Sequence, residues 1–379
     1  MTKLEESGDL VPLGILMVST SYPESVADWK GTFIRNSLLA LAQKPDLAVS
    51  VWQPPGPVPS SVRQIATETE TAWFKKLMDE GGIAHLLRNR PVKGLFRAGQ
   101  MVRNLRHMYR RSGSYDLRHV NWLQCAFGIP NDKTPLVASV LGTDLQLLRL
   151  PGMSYALRRA FSGRQVALCP NSLWAMEPLQ RTFGDIAKVR YLPFGIDCRW
   201  FSVVRKVEGP PRWLCISRLT TAKIGPLFDW GDRVFGGTNA ELVLIGPNQE
   251  NLKIPPWVNY LGPLGPEQIC EEWFPRATGI LTLSNHSEGR PQVLLEAMAA
   301  GLPILASDHP AHQDLIDHGK TGWIIDSSES FDNGLSLLSE MKTNRAMSGA
   351  AKKKAQDEFG TWSTYARRLR LIYRELLDE

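Results

Sequence analysis

The residues most able to do chemistry lie in residues 284–308, which read SNHSEGRPQVLLEAMAAGLPILASD. Two carboxylates, Glu288 and Glu296, stand eight positions apart there. Pro291, a residue favoured in the first turn of a helix, opens a run of strong helix formers. The free N–H groups at a helix start bind phosphate. The segment therefore predicts a diphosphate site whose flanking carboxylates accept hydrogen bonds from hydroxyls, which is the layout of a nucleotide sugar.

Two cations are placed to support the same chemistry. Arg218 and Lys223 follow a predicted strand that ends at Ser217, and a parallel strand directs such residues toward the edge where open α/β sheets bind ligands. Arg offers phosphate a planar fork of donors, and Lys a compact charge. The alternative interpretation is an ordinary strand, helix, strand crossover with two glutamates and solvated surface charges.

These residues depend on strands that alternate with helical patterns along the whole chain, which is typical of parallel sheets covered by helices. The predicted strands of the first half are 14–19, 48–52, 117–122, 136–141, 166–168 and 189–192. Those of the second half are 213–217, 242–245, 258–261, 279–283, 304–307 and 323–325. Each half therefore predicts a doubly wound α/β domain.

The length of 379 residues favours two domains. A charged stretch with Gly209, Pro210 and Pro211 marks the linker between them. The predicted divisions are a first domain over 1–204, a second over 205–360, and a C-terminal helix over 361–379 that crosses back to the first domain. We expect the two domains to face a central cleft.

Composition excludes several classes of protein. With 43% hydrophobic and 22% charged residues the chain is neither disordered nor a disulfide scaffold. Five cysteines without a C-x-x-C pair favour a reducing, cytoplasmic setting. The apolar stretch 10–18 follows acidic rather than basic residues, which argues against a signal peptide, and no run reaches transmembrane length.

The segment around Glu288 resembles the signature of the retaining glycosyltransferases of family 4, a two-domain family with the GT-B fold. The similarity continues through 189–201 (VRYLPFGIDCRWF), 215–223 (CISRLTTAK), 242–246 (LVLIG) and 319–325 (GKTGWII). It thus covers the second half of the chain. The first half matches more loosely, through Gly31, His119 and the GTD of residues 142–144.

The resemblance implies roles for particular residues. Arg218 and Lys223 would clamp the donor diphosphate, Glu296 would hold the ribose diol, and Glu288 would contact the transferred sugar. Arg218, Lys223, Glu288 and His119 form the predicted catalytic set. The predicted donor site consists of Gly31, Arg218, Lys223, Glu288, Gly289, Arg290, Pro291, Gln292, Val293 and Glu296. His119 and Asp144 are the expected acceptor-side contacts, although each is equally compatible with a structural role.

The implied activity is metal-independent transfer of a sugar, with retention of configuration, from a nucleoside-diphosphate sugar to a glycan in envelope polysaccharide synthesis. No D-x-D pair occurs in the chain, so we expect no metal and no other cofactor. Two rival functions remain: a nucleotide-sugar epimerase of the same architecture, and a catalytically silent sugar-nucleotide binding protein. Turnover and the appearance of a new sugar epimer distinguish the three.

A basic segment suggests where the acceptor lies. Residues 81–111 contain eight Lys or Arg and no Asp or Glu. Met101, Leu105 and Met108 recur at helical spacing, with arginines on another face. Such a helix can bind anionic lipid, which predicts peripheral attachment to the inner face of the cytoplasmic membrane and a polyprenyl-linked acceptor. The alternative is a domain helix whose apolar face is core; nucleic acid is not an expected partner.

Overall fold

A computed structural model describes residues 11–25, 28, 31–142, 144–286 and 289–378. The chain forms two compact units. The first consists of the described residues of Met1–Pro170, Met176–Leu192 and Ala366–Glu379, and the second of those of Asn171–Ala175 and Pro193–Tyr365. The predicted Glu288 contact lies outside the described residues. Among the residues described, no helix is long and apolar enough to cross a membrane.

The first unit is built on a seven-stranded parallel sheet in the order β3-β2-β1-β4-β5-β6-β7. Its strands are β1 (Leu13–Val18), β2 (Leu47–Trp52), β3 (Arg63–Gln64), β4 (Leu117–Asn121), β5 (Leu136–Val140), β6 (Val166–Pro170) and β7 (Lys188–Val189). Its helices are α1 (Thr32–Ala42), α2 (Glu68–Asp79), α3 (Gly82–Asn89), α4 (Pro91–Arg111), α5 (Asp144–Leu147), α6 (Met153–Phe161) and α7 (Met176–Phe183).

The second unit contains a six-stranded parallel sheet in the order β10-β9-β8-β11-β12-β13. Its strands are β8 (Arg212–Ile216), β9 (Glu241–Ile245), β10 (Val258–Gly262), β11 (Gly279–Thr282), β12 (Ile304–Ser307) and β13 (Gly322–Ile325). Its helices are α8 (Cys198–Phe201), α9 (Thr221–Ile224), α10 (Leu227–Phe235), α11 (Pro266–Gln268), α12 (Gln292–Ala299), α13 (Pro310–Gln313), α14 (Ser328–Ser339) and α15 (Met341–Lys354).

The apolar runs that predicted these strands are buried because helices cover both faces of each sheet. In β8, Leu214 packs into one core while Trp213 and Cys215 pack into another. This alternation is the side-chain period of a strand buried on both sides. The predicted fold class, two Rossmann-like α/β domains, is thereby confirmed.

The last helix, α16 (Trp362–Leu377), begins in the second unit, and its residues from Ala366 onward belong to the first. Its buried positions Leu369, Ile372, Tyr373 and Leu376 recur every three or four residues, the spacing of one helix face. Beside this face, Arg370 Nε lies 2.5 Å from an Asp46 carboxylate oxygen. The Tyr373 hydroxyl lies 2.7 Å from His119 Nδ1 in β4, so the helix packs against the sheet of the first unit.

In each sheet the strand order reverses at one point. In the second unit β9 and β10 extend from one side of β8, whereas β11, β12 and β13 extend from the other. The carboxyl ends of β8 and β11 therefore flank a topological switch point, the usual ligand position in open α/β sheets. The matching point in the first unit lies between β1 and β4.

Candidate functional site

The two predicted cations leave the carboxyl end of β8 on either side of a tight turn. Thr220 caps α9 by accepting a hydrogen bond from the Lys223 N–H at 3.3 Å, a usual N-cap role for threonine. The Leu219 N–H donates to the Pro247 carbonyl at 2.9 Å, which ties this turn to the segment after β9. Arg218 and Lys223 are both partly exposed. The turn therefore presents both cations at the switch point.

The loop after β11 packs directly against this turn. The Asn285 N–H donates to the Ala222 carbonyl at 2.8 Å. Gly225 has φ 55° and ψ −139°, and a Cβ built on it would lie 2.1 Å from the Leu283 carbonyl oxygen. Only glycine permits this approach. Two segments that are about 60 residues apart in sequence thus form one continuous surface.

Helix α12 starts where predicted, with Pro291 as its N-cap residue. The Gln292 side chain donates from Nε2 to the Gly195 carbonyl at 3.1 Å. Val293 is partly buried and packs against the core of the unit. Gln292 and Glu296 are four residues apart and therefore share a helix face. The GID sequence of residues 195–197 lies along that face.

Glu296 lies in an electrostatically unusual position. Although part of its side chain reaches solvent, its pKa is raised to about 8, mainly because burial disfavours the charged carboxylate. Asp197 acts in the same direction, and the Arg199 guanidinium opposes both. Arg199 Nε is 3.2 Å from the Asp197 carboxylate. Glu296 therefore holds a proton near neutral pH in the absence of a ligand.

Arg290, predicted to contact the donor, makes a different set of contacts. Its Nη2 donates to the Asp314 carboxylate at 2.8 Å, and the two side chains are 0% and 6% exposed. The guanidinium also lies over the Phe359 ring, 5.0 Å from its centroid. These contacts turn Arg290 into the unit's interior. We therefore assign it a positioning role, in which it holds the loop before α12.

The same loop is braced by residues that sequence reasoning missed. The Trp174 Nε1–H donates to the Gly289 carbonyl at 3.0 Å, and the Leu173 N–H donates to the Asp314 carboxylate at 2.6 Å. Asp314 thus binds both Arg290 and residues of the 171–175 segment. Asp314 follows the SD motif by a few residues, a faint signal, whereas nothing in the sequence around Trp174 indicates its partner.

In the first unit, Gly31 is the N-cap residue of α1 with φ 66°. A Cβ there would lie 2.9 Å from the Ser21 hydroxyl oxygen and 3.2 Å from Tyr22 Cα. Gly31 therefore adopts a left-handed conformation and permits the two ends of the connection between β1 and α1 to approach closely. These properties are compatible with the predicted phosphate contact and also explain the glycine without one.

His119 lies inside β4 and is fully buried. Its Nδ1 is 2.7 Å from the Tyr373 hydroxyl and its Nε2 is 2.8 Å from the Ser139 hydroxyl. Burial lowers the pKa of His119 to about 3, so the ring is neutral. A ring with both nitrogens engaged and no exposed surface has a structural role. We therefore leave His119 out of the proposed catalytic group.

Asp144 is also buried and engaged. Its carboxylate accepts hydrogen bonds from the Leu123 N–H at 2.7 Å and the Leu141 N–H at 2.6 Å. Burial raises its pKa to about 6 even though these two donors favour the charged form. Asp144 therefore ties the loops after β4 and β5 together, which is the structural alternative to acceptor binding.

The described donor residues other than Gly31 thus belong to the second unit, whereas Gly31, His119 and Asp144 belong to the first. Within the described residues, no three His, Cys, Asp or Glu side chains cluster in a way that would hold a metal ion. The cations and carboxylates named above suit an anionic ligand that carries hydroxyl groups.

Comparison with known proteins finds glycosyltransferases. Residues 237–355 match the family model described as Glycosyl transferases group 1. A GDP-mannose-dependent alpha-(1-6)-phosphatidylinositol monomannoside mannosyltransferase of Mycobacterium tuberculosis is 26% identical over 266 residues, which cover 62% of this chain and 68% of the relative. A D-inositol 3-phosphate glycosyltransferase of Streptomyces scabiei is 30% identical over 31% of this chain and 26% of its own length.

Solved structures share the fold over nearly the whole chain. Sucrose-phosphate synthase from Thermosynechococcus elongatus superimposes with a TM-score of 0.73 and 16% identity, covering 97% of this chain and 99% of the other. The HepE protein of Anabaena, solved in complex with UDP and glucose, gives a TM-score of 0.61 and 14% identity, covering 96% and 100%.

The fold has the two Rossmann-like domains of the solved structures, and residues 237–355 match the glycosyl transferases of group 1. The comparisons together support a glycosyltransferase of the GT-B fold.

Proposed function

We propose that this glycosyltransferase moves a sugar from a nucleoside-diphosphate sugar to a glycan acceptor with retention of anomeric configuration and without a metal ion. The observation that carries the proposal is the joining of the two predicted donor segments: the Asn285 N–H bond to the Ala222 carbonyl brings the loop after β11 against the turn that holds Arg218 and Lys223. The site lies at the switch point of the second sheet.

Each group at the site has a task in this proposal. Arg218 and Lys223 bind the diphosphate, since charge-assisted hydrogen bonds are the strongest a protein offers to phosphate oxygens. The free N–H groups at the start of α12 add to them. Glu296 accepts hydrogen bonds from the ribose diol as a carboxylate, so nucleotide binding releases the proton that burial retains on it.

The chemical step follows from the resemblance to family 4. The bond between the anomeric carbon and the diphosphate oxygen breaks, and the acceptor hydroxyl forms a bond to that carbon on the same face. The acceptor's proton passes to the departing phosphate. Negative charge grows on the diphosphate as the sugar becomes oxocarbenium-like, so fixed cations there lower the barrier.

The acceptor and its location complete the proposal. The mannosyltransferase relative is named for a phosphatidylinositol substrate, which supports a lipid-linked acceptor here. We propose that the enzyme is a peripheral protein of the cytoplasmic face of a membrane and that it acts in the synthesis of envelope polysaccharide. UDP and GDP are the two candidate donor nucleotides, because one relative is named for GDP-mannose and one fold neighbour was solved with UDP.

Calorimetric titration with UDP and GDP tests the donor site. We expect Lys223→Ala to weaken binding of the preferred nucleotide about 10- to 100-fold, the equivalent of one charge-assisted hydrogen bond of ~1.5–3 kcal/mol. Glu296→Ala should weaken the binding of the nucleoside diphosphate but not the binding of inorganic pyrophosphate. Lys342→Ala, an exposed lysine of α15, is the matched control. Unchanged affinity in both site variants would refute the assignment.

A product analysis tests the reaction. The purified chain, the preferred donor and a panel of polyprenyl-linked glycans should yield a glycoside whose anomeric configuration, read by NMR, equals that of the donor. Addition of EDTA should leave the rate unchanged. A product of inverted configuration, or a new sugar epimer formed without acceptor, would overturn the proposal.

A further inference from the structure

The long helix α4 presents a stripe of residues that the core does not use. Val92, Leu95 and Phe96 are 84%, 67% and 63% exposed. Arg103, Arg106 and Arg110 are exposed further along. At 3.6 residues per turn these six positions fall within an arc of about 100°. The exposed face therefore begins with bulky apolar side chains and continues as a line of cations, and the whole stripe is about 27 Å long.

The opposite face of α4 is core. Met101, Leu105 and Met108 are buried, so the apolar face predicted from the sequence to meet lipid is occupied by the first unit. Arg97 is buried as well, and its Nε and Nη2 donate to the Glu80 carboxylate at 2.9 and 2.6 Å. The helix is therefore fixed in rotation, and its exposed stripe cannot turn inward.

The apolar end of the stripe is enlarged and held in place by α3. Leu87 is exposed beside the first turn of α4. The two helices meet closely there, since a Cβ on Gly94 would lie 2.6 Å from the Leu87 nitrogen. The connection between α3 and α4 also carries exposed Arg88 and Arg90. Leu87, Val92, Leu95 and Phe96, here called the corner patch, thus form an exposed apolar group with cations beside it.

Within the described part of the chain, Arg103, Arg106 and Arg110 of the stripe form no ion pair. Among the described residues, Lys93 and Arg97 share Glu80, and Arg111 pairs with Glu70. These pairs involve cations off the stripe. Residues 81–111 themselves contain no Asp or Glu. Apolar side chains at the tip and arginines along the side match the boundary of an anionic bilayer, where acyl chains lie below phosphates.

We propose that the corner patch inserts into an anionic lipid bilayer while Arg103, Arg106 and Arg110 contact lipid phosphates. The apolar contribution comes from desolvating side chains that the folded protein leaves in water. The electrostatic contribution comes from placing each arginine within a Debye length of the surface. The α4 stripe is thus the membrane-facing side of the first unit, and this assignment does not rest on the chemistry at the donor site.

Vesicle sedimentation of the full chain tests the proposal. We expect binding to vesicles of phosphatidylglycerol and phosphatidylcholine, loss of binding to pure phosphatidylcholine, and weaker binding at 0.5 M salt. Leu95→Ser with Phe96→Ser should lower the partition coefficient by about 100-fold, near tenfold for each side chain. Replacing Arg103, Arg106 and Arg110 by Gln should lower it by about 100-fold, near fivefold for each charge.

Matched controls keep these outcomes specific. Met341→Ser with Leu371→Ser removes two exposed apolar side chains elsewhere. Replacing Lys342, Arg345 and Lys352 of α15 by Gln removes the same charge, and both controls should bind vesicles like the parent. Nucleotide affinity should stay unchanged in all variants, which separates this test from that of the proposed function.

Three results would overturn the proposal. The first is that the parent chain does not bind anionic vesicles at low salt. The second is binding that the arginine variant loses but the corner-patch variant keeps, since this would exclude insertion. The third is a dimer in solution that the corner-patch substitutions dissociate, which would assign the patch to a second copy of the chain.

Discussion

The substitution Asp314→Ala tests the brace behind the donor loop. Asp314 is the carboxylate partner that the structure gives to the Arg290 guanidinium, at 2.8 Å, and the two side chains are 6% and 0% exposed. It also accepts the Leu173 N–H. Removing one partner of a buried ion pair is strongly destabilising and costs ~3–5 kcal/mol.

That free energy predicts a measurable loss of thermal stability. The second unit has about 180 residues, and a domain of this size loses ~2–4 °C in Tm for each kcal/mol. Asp314→Ala should therefore lower the transition of the second unit by about 6–20 °C in differential scanning calorimetry. The nucleotide should also bind more weakly at temperatures where the unit stays folded, because the loop that contains Gly289 loses its support.

Two companion variants define the outcome. Glu177→Ala breaks the Arg181 pair, whose side chains are 78% and 76% exposed, and should leave the transition in place. Asp314→Leu combined with Arg290→Met replaces the ion pair by apolar groups and should recover much of the loss. If Asp314→Ala melts within 2 °C of the parent, the buried charge does not depend on Asp314 and the reasoning is wrong.

Two further predictions concern buried titratable groups. Glu296 has a folded pKa of about 8, above its ordinary value of 4.5. Between these two pH values the folded state binds a proton that the unfolded state does not, so the stability of the parent falls as pH rises through that window. Urea titrations should therefore show that Glu296→Gln gains stability over the parent up to about pH 8. An equal pH dependence in the two proteins would contradict this. Tyr373→Phe removes the hydroxyl that lies 2.7 Å from His119 Nδ1, and it should lower the unfolding free energy of the first unit by ~1–3 kcal/mol. Tyr155→Phe, at an exposed tyrosine, is the control. Equal losses of unfolding free energy in the two variants would refute a structural role for His119.

Most of the fold could be predicted from the sequence, because strands buried on both faces are continuous apolar runs. The predicted strand at 304–307 is β12 residue for residue, and the one at 279–283 ends one residue beyond β11. The exception is β3, Arg63–Gln64, whose two exposed polar residues pair with β2 only at the edge of the sheet. Its existence depends on tertiary contact, which no local pattern records.

The site was less predictable, because a residue type does not reveal its partners. Arg290 stands between a glycine and a proline in the donor motif, yet its direction is decided by Asp314, which lies 24 residues away, and by the Phe359 ring. The apolar spacing of α4 correctly indicated an amphipathic helix. It did not show that Met101 and Leu105 serve the core while Leu95 and Phe96 remain exposed.

The membership of Asn171–Ala175 in the second unit has a consequence for how such enzymes are recombined. A gene fragment cut at Pro193 would encode the second sheet but omit Leu173 and Trp174. The Gly289 carbonyl would lose the Trp174 donor, and the Asp314 carboxylate would lose the Leu173 N–H. The second unit is therefore not encoded by one continuous segment of the sequence. A chimera that exchanges it between relatives must carry the five-residue insert along, or evolve a replacement for it.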